Sequence, residues 1–278
     1  MEVLNEDTIQ AWIVPHVSKG KRGSKPKVEL WRIMAAILYR LKSGCQWRML
    51  PLEQFFDHQA LTWQGVYYHF SQWVSDGSFK AVWINMLRSH PHLLDLSSMQ
   101  LDGTHTVARK GGEHTGLQKR KAARTTNTLL FCDNNGLPLS LATPQCGNQH
   151  DVTGIAELFD ELCEVLTQAG IDLRGVFMNA DSGFDAEVVH HKCEDRGIEA
   201  NIYHNSRNTQ RLNEEYRYFD PLLYKRRFVI ERMNAWLDSF KALLVRYETR
   251  VKNWMALHFL AFTVWMGRKI SIVILHKG

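Results

Sequence analysis

Two aspartates in this chain stand where metal-dependent chemistry is commonly found. Asp102 follows the short strand-like run Met99–Leu101, and Asp181 follows a largely apolar run, residues 176–180, typical of a strand buried on both faces. Ligand chemistry in open α/β sheets gathers at the carboxyl ends of strands. Both aspartates are therefore candidate ligands, although a single aspartate after a strand more often forms a turn or caps a helix.

A third acid, Glu231, lies in a segment whose spacing predicts one long helix over residues 222–247. At 100° per residue, Glu231 shares a polar stripe with Tyr224, Arg227, Asn234 and Asp238. The core-facing sectors hold the apolar residues Met233, Trp236, Leu237, Phe240, Leu243 and Leu244. Taken alone, this stripe is better explained as a solvated helix face.

The three acids together would supply hard oxygen ligands for Mg²⁺ or Mn²⁺. Two such ions, about 3.5–4 Å apart, can activate a nucleophile and stabilise the leaving oxygen of a phosphodiester. The protein then contributes ligand geometry and the basic side chains that hold a phosphate backbone.

The elements expected before this region are helical. Residues 28–41 carry an amphipathic stripe that Gly44 and Pro51 end, and residues 60–74 and 78–87 have similar periodicity. Tryptophans are dense in this region and are expected to fill the core of a small bundle: Trp12, Trp31, Trp47, Trp63, Trp73 and Trp83. A DNA reader of the helix-turn-helix type is compatible with this composition.

Beyond Pro91 the pattern predicts a mixed sheet covered by helices, and hence an α/β fold. Residues 127–132 and 137–143 flank a DNNG turn and predict a hairpin. Helices are expected over 151–168, with Asp151 as the N-cap, and over 185–196, and a strand is expected over 198–203.

Charge is segregated along the chain, whose formal net charge is +5. Residues 15–48 hold nine Lys or Arg against one acid, residues 105–124 hold six against one, and residues 151–200 hold twelve acids against three basic residues. Such segregation favours a polyanionic partner such as nucleic acid. The alternative is a set of solvated faces.

The composition excludes several classes of protein. With 45% hydrophobic and 23% charged residues, the chain is neither disordered nor collagen-like. The most apolar stretch, residues 254–275, is interrupted by His258 and GRK, and we expect a core helix followed by a short strand or tail. The five scattered cysteines predict neither disulfides nor a zinc site. With no secretory signal in MEVLNEDTIQ, we expect a cytosolic protein.

Six motifs follow one another along nearly the whole chain. They are SGCQWRMLP (43–51), VYYHFSQWVSDGSF (66–79), LDGTH (101–105), LPLSLATPQCGNQHD (137–151), ADSGFD (180–185) and VIERMNAWLDSFKALLVRYE (229–248). In this order they resemble bacterial insertion-sequence transposases of the Asp-Asp-Glu (DDE) type, in the insertion-sequence-five-like group. The resemblance implies a ribonuclease H-like catalytic domain over residues 93–278 after a helical DNA-binding domain over residues 1–92.

The resemblance also implies a mechanism and partners. Asp102, Asp181 and Glu231 would be the catalytic and metal-binding acids, holding two Mg²⁺ or Mn²⁺ ions for cleavage at element ends and strand transfer to target DNA. A homodimer or larger assembly on double-stranded DNA is expected, because both ends are processed together. The resemblance further implies a bacterial cytoplasmic, nucleoid-associated protein with no membrane partner. The residues expected to contact DNA are Lys21, Arg22, Lys25, Lys27, Arg109, Lys110, Lys119, Arg120, Lys121, Arg124, Tyr224, Arg227 and Lys241.

The chain departs from the family pattern at two positions. Asp238 stands where a basic residue is usual, so that Lys241 is a candidate substitute, and Asn127 stands where a lysine is frequent, with Arg124 nearby. The pair His150-Asp151, which recurs in the family, is interpreted as a feature of the fold or as a support for the metal ligands, and not as a ligand itself. Two alternatives remain: an inactive relative that binds element ends and represses transposition, and a ribonuclease H-like nuclease that never joins strands.

Overall fold

A computed structural model describes residues 4–19, 28–57, 61–205 and 217–275, with side chains described as far as Ile270. The chain divides into two compact units. The first unit comprises residues 1–89, 108–113 and 237–278, and the second comprises residues 90–107 and 114–236. The border at Ser89/His90 lies close to the domain boundary expected at residue 92, but the last 42 residues group with the first helices.

The helices, in chain order, are α1 Glu6–Trp12, α2 Leu30–Ser43, α3 Trp63–Ser75, α4 Ser78–Ser89, α5 Ile155–Gln168, α6 Glu187–Glu194, α7 Pro221–Tyr224, α8 Phe228–Leu237, α9 Lys241–Leu244 and α10 Val251–Leu275. The strands are β1 Ser98–Val107, β2 Gly116–Gln118, β3 Ala123–Asp133, β4 Pro138–Leu141, β5 Gln145–Cys146, β6 Phe177–Ala180 and β7 Glu199–Ile202. Short 3₁₀ turns include Trp47–Met49, Ser182–Phe184 and Lys225–Arg227.

The first unit is helical, as predicted. Helix α10 packs against α2, α3 and α4, and its apolar residues form the centre of this core. Of the six tryptophans expected in the core, only Trp73 and Trp83 are buried, and the other four are partly exposed. Helix α2 ends at Gly44 with φ +68°, a left-handed conformation that glycine adopts without strain.

Helix α10 corrects the prediction of a short strand or tail after residue 266. It continues unbroken through Gly267 for 25 residues. A Cβ at Gly267 would come within 3.3 Å of Leu4 and Thr8, so the glycine permits close packing of the N-terminal residues and does not end the helix. Among the described residues, none of the helices is both long and apolar enough to cross a membrane.

The second unit is built on one mixed sheet, with strand order β2-β3-β1-β6-β7 and with β4 and β5 paired to β3. Strands β1 and β3 are antiparallel, whereas β1, β6 and β7 are parallel. Helix α5 packs on β3, β4 and α6. The predicted α/β class is confirmed, and so is the 127–143 hairpin, whose turn contains Gly136 at φ +81°.

Two predicted helices differ from those observed. Helix α5 begins at Ile155 after Gly154 at φ +61°, so that Asp151 is not its N-cap. The segment 222–247 is not one helix but α7, a 3₁₀ turn, α8 and α9. Phe240 is extended between α8 and α9, and Arg246 then pairs with Ala108 as a β-bridge. This long-range pairing ends the helical region, although its apolar periodicity continues in the sequence.

Candidate active site

The parallel pairing of β1 with β6 sets the relative height of the two candidate aspartates. Ser98 pairs with Phe177 and Gln100 pairs with Asn179, a constant offset of 79 residues (177 − 98 = 79). Asp102 and Asp181 have the same offset (181 − 102 = 79). Side chains two residues apart share a face, and neighbouring strands lie about 4.8 Å apart. The register therefore brings both carboxylates to one level on one face of the sheet.

Asp102 does not end its strand, which corrects the sequence-based placement. It lies in the middle of β1 and pairs with Leu130 of β3, because β3 accompanies β1 as far as Val107. The pairing of β1 with β6, however, stops at Gln100. Asp181 directly follows β6, as predicted, and its carboxylate accepts a hydrogen bond from the Gly183 amide at 2.7 Å.

The Asp102 carboxyl is an ionisable group in a mostly buried position. Burial raises its pKa to about 6, the Arg227 guanidinium opposes that rise, and the carboxylates of Asp181 and Asp151 add to it. The Arg227 Nη2 atom lies 3.7 Å from Asp102 Oδ1. The site thus concentrates negative charge beside one cation.

Asp151, expected to be a helix cap, instead reaches the strand that carries Asp102. Its Oδ1 accepts a hydrogen bond from the Asn127 side-chain amide. A Cβ at Gly103 would come within 2.7 Å of the same oxygen, so that only glycine leaves room for this carboxylate. Asp151 is therefore a further acid beside Asp102, in addition to Asp181. The His150-Asp151 pair, which recurs in the family, was the feature of the sequence that could have indicated it.

Buried amides connect the parallel strands beneath the two aspartates. Asn179 Nδ2 donates to Gln100 Oε1 at 2.9 Å, and Asn201 Nδ2 donates to Asn179 Oδ1 at 2.6 Å. All three side chains are fully buried. We call Gln100, Asn179 and Asn201 the amide ladder. The amide ladder was not predicted, although Gln-Leu-Asp and Asn-Ala-Asp repeat the same spacing on two strands.

The amide ladder also holds the segment that leads to Glu231. Asn179 Nδ2 donates to the Leu223 carbonyl at 3.2 Å, and Asn201 exchanges hydrogen bonds with the Asp220 backbone. Since Asn179 shares a face with Asp181, the chain around Leu223 covers the face that carries the aspartates. This contact explains how Arg227 comes to lie next to Asp102.

The structure does not gather Glu231 with the two aspartates. Glu231 is exposed in the first turn of α8, one helical turn beyond Arg227. Across the described residues, no group of three or more acidic, histidine or cysteine side chains is arranged to hold a metal ion. The predicted three-acid site is thus represented by two aspartates at one level and a glutamate on the adjoining helix.

Two family profiles match most of the chain. The profile for transposases of the IS4/5 family covers residues 7–83, and the profile for the transposase DDE domain covers residues 94–266, well over half of the chain. The chain belongs to the DDE transposase family. The resemblance inferred from the six motifs is confirmed, and the mixed sheet flanked by helices agrees with the α/β class expected for the catalytic domain.

Relatives of this transposase-family chain include a curated protein of Burkholderia cepacia, named as a transposase for insertion sequence element IS402. It is 35% identical over 122 residues, which cover 44% of this chain and 53% of that protein. The chain therefore spans about half the length of the curated relative that it matches.

Solved structures similar to this chain include the catalytic domain of Mos1 mariner transposase, with 12% identity, coverage of 70% of this chain and 91% of that chain, and a TM-score of 0.31. The Mos1 transposase paired-end complex with left transposon end has 13% identity, coverage of 90% and 82%, and a TM-score of 0.29. At these scores we transfer no residue from those structures to this one.

The donor chemistry of this transposase-family site fits divalent cations in part. Asp102 and Asp181 offer carboxylate oxygens at one level, which suits Mg²⁺ or Mn²⁺. A complete three-acid site would need the exposed Glu231 carboxylate to join them, which the described arrangement does not provide.

Basic residues expected to contact DNA are concentrated at one tip of the second unit. Lys119, Arg120 and Lys121 form the turn between β2 and β3, and all three are exposed. The Lys121 Nζ atom donates to the His105 carbonyl at 2.7 Å, three residues along β1 from Asp102. Arg124 is exposed on β3, where it pairs with Leu117. We call these four residues the basic tip.

The remaining predicted contacts are distributed more widely. Tyr224 packs against Phe219 with ring centroids 5.2 Å apart, and Arg227 lies over its ring. In the first unit, Arg109, Lys110 and Lys241 are exposed. Four predicted DNA-binding residues lie outside the described part of the chain: Lys21, Arg22, Lys25 and Lys27.

Proposed function

We propose that this chain is a DNA transposase. It binds the terminal inverted repeats of an insertion sequence, cleaves at the element ends by metal-dependent hydrolysis and transfers the 3′-hydroxyl strands to target DNA. The observation that carries the proposal is the shared register of Asp102 and Asp181 in a chain of the DDE family.

Asp102, Asp181 and Glu231 would hold two Mg²⁺ or Mn²⁺ ions. When bound, the ions activate the attacking oxygen and stabilise the leaving one. The strand register would keep Asp102 and Asp181 at one level, and Glu231 would complete the ligand set from α8. Arg227, now 3.7 Å from Asp102, is available to hold a phosphate oxygen when Asp102 binds a cation.

Two displacements at phosphorus account for the reaction. In the first, a water oxygen bonds to phosphorus while the bond to the 3′ oxygen breaks, and that oxygen leaves as a 3′-hydroxyl. In the second, the 3′-hydroxyl attacks a phosphodiester of target DNA and releases a target 3′-hydroxyl. The basic tip would hold the backbone near the site, and Tyr224 and Arg227 would orient it.

DNA binding by the helical first unit belongs to the same proposal. Its exposed Arg109, Lys110 and Lys241, together with Lys21, Arg22, Lys25 and Lys27, would contact the duplex at the element ends. Because both ends must be processed together, the active form would be a homodimer or a larger assembly on DNA. The reaction would take place in the bacterial cytoplasm, at the nucleoid.

Single substitutions test the proposed acids. Asp102→Asn, Asp181→Asn and Glu231→Gln should each lower Mg²⁺-dependent cleavage of DNA carrying the element's ends by about 10²–10³-fold or more, as expected for loss of a transition-state charge contact. Asp172→Ala removes an exposed carboxylate of the same unit and should leave cleavage unchanged. Near wild-type cleavage by any of the three would remove that residue from the assignment.

One observation favours a second candidate, a DNA-binding relative that represses without cutting. Glu231 does not join the aspartates in the described structure. Tight binding of end-bearing DNA with no cleavage under Mg²⁺ or Mn²⁺ would support that candidate. Supplying pre-cut ends separates transposition from simple nuclease activity, since a nuclease yields no joined product.

A further inference from the structure

The first unit contains a cavity of about 720 Å³ that the acidic site does not use. Its described lining comes from four separate parts of the chain: residues 40 and 44–49, residues 63 and 67 of α3, residue 110, and residues 247–248. All of them belong to the same compact unit. A volume within about 300–1,000 Å³ is typical of sites that enclose a small organic group.

Aromatic rings form much of the cavity wall. Trp47, Trp63, Tyr67 and Tyr247 all line it. Trp47 and Tyr67 contact each other with centroids 5.2 Å apart, while Tyr247 is 51% exposed. Partly exposed aromatic faces stack on nucleobases without regard to sequence, because every base has a π-face.

A buried arginine forms part of the wall of the same cavity. Arg40 is 6% exposed, pairs with Glu248 through Nη2 and Oε1 at 2.5 Å, and lies over the Trp47 ring at 4.9 Å. Its Nε and Nη1 atoms have no hydrogen-bond partner among the described residues. Buried donors are nearly always paired, so these atoms point to an acceptor that the chain itself does not supply.

The charge of the lining is positive. Among the described lining residues, Glu248 is the only acid, and it pairs with Arg40. Arg48 and Lys110 are exposed at the cavity and form no ion pair with any other residue that the structure describes. An anionic group beside an aromatic one would therefore be attracted here.

We propose that this cavity binds one unpaired nucleotide of a DNA strand. The base stacks on Tyr247 and Trp63, and Arg48 and Lys110 hold the flanking phosphates. The unpaired nitrogens of Arg40, which are covered before the nucleotide enters, turn towards an acceptor on the base edge. A base inside a duplex is not accessible to such a pocket, so the nucleotide must lie outside the stack. The inference rests on the proposed function, because strand cleavage and joining generate unpaired nucleotides.

Binding to short single strands tests the proposal with the full-length protein. The probes are a fluorescein-labelled oligothymidylate of about twelve residues and a strand of equal length in which every position is abasic. We expect the base-bearing strand to bind at least about 5-fold more tightly, the lower end of the effect of stacking one base. Equal affinity for the two strands would overturn the proposal.

Matched variants locate the effect. Tyr247→Ala should remove most of the preference for the base-bearing strand, whereas Arg48→Met and Lys110→Met should each lower the affinity for both strands. Tyr68→Ala is the control, because Tyr68 is 59% exposed in the same unit but does not line the cavity. An equal loss in Tyr68→Ala and Tyr247→Ala would contradict the assignment.

A measurement on the unmodified protein avoids any dependence on variant folding. An oligonucleotide with one 5-iododeoxyuridine should, on irradiation, cross-link to Trp47, Trp63, Tyr67 or Tyr247, as identified by peptide mapping. Cross-links only outside this set would overturn the proposal. Neither experiment uses metal or cleavage. If the protein cuts DNA with Mg²⁺ but shows neither the base preference nor the cross-links, the cavity proposal fails and the proposed function stands. If it binds bases in the cavity but does not cut, the cavity proposal stands and the proposed function fails.

Discussion

Two groups of buried polar side chains, one in each unit, differ in charge. In the first unit, the charged residues Arg40 and Glu248 are buried as an ion pair. In the second unit, the residues buried beneath the aspartates are the neutral amides of the ladder. A buried charge needs a counter-charge, whereas a buried amide needs only hydrogen bonds. The Arg40–Glu248 pair should therefore be more sensitive than the amide ladder to the loss of a single polar partner.

The largest effect is expected at Glu248. Glu248→Leu leaves Arg40 buried without its counter-charge and should lower the free energy of unfolding by about 3–5 kcal/mol. Urea denaturation followed by tryptophan fluorescence measures this, because all tryptophans except Trp236 lie in the first unit. Asp172→Ala should change stability by less than about 0.5 kcal/mol. A loss below about 1 kcal/mol in Glu248→Leu would contradict the difference drawn between the units.

A pH effect of about 3 kcal/mol is expected at His258 in the first unit. Burial lowers the pKa of His258 to about 4, from an ordinary value of 6.5. The contribution of the neutral His258 side chain to the free energy of unfolding is fully present above pH 6.5. It is lost as the pH falls towards 4, because this histidine takes up a proton at a higher pH in the unfolded chain than in the folded one. His258→Gln should remove that acid-dependent loss in urea titrations at pH 7.5 and 4. An identical pH dependence in the variant would refute this origin.

The opposite sign is expected at Asp102 in the second unit, with a similar size. Because its pKa is raised from 3.8 to about 6, the folded state favours the protonated form, and stability is lost as the pH rises through that interval. In the presence of a chelator at pH 7.5, Asp102→Asn should therefore raise the free energy of unfolding by about 3 kcal/mol. The gain should shrink at pH 4.5, and circular dichroism at both values measures it. A destabilised variant at pH 7.5 would count against this account.

The smallest effect is expected within the amide ladder. Gln100→Met removes the acceptor for Asn179, but Asn179 still donates to the Leu223 carbonyl at 3.2 Å. The expected loss is about 1 kcal/mol, the net contribution of a neutral hydrogen bond. Urea denaturation followed by circular dichroism measures it. A loss as large as that of Glu248→Leu would show that neutral and charged groups do not differ here.

Local patterns predicted most elements and missed those that depend on distant pairing. The α2 stripe and the hairpin at Gly136 were predictable because neighbouring residues determine them. The extension of β1 to Val107 depends on pairing with β3, and the end of the helical region after α9 depends on the Ala108–Arg246 bridge. No periodicity within either segment contains that information.

The candidate site was predictable in composition more than in arrangement. The resemblance identified Asp102, Asp181 and Glu231, but only the sheet register explains why the two aspartates lie at one level. Asp151 was interpreted as a cap because an aspartate before a helix usually is one. Its contact with Asn127, 24 residues away, could not be inferred from spacing.

The offset of 79 residues between β1 and β6 has a consequence for how this protein tolerates length changes. The proximity of the two aspartates depends on strand pairing, not on the number of residues in the connection. Insertions in the exposed turns of that connection should leave the two carboxylates together, since longer loops cost little free energy. A slip of β6 by a single residue, in contrast, would turn Asp181 to the opposite side of the sheet and separate the pair.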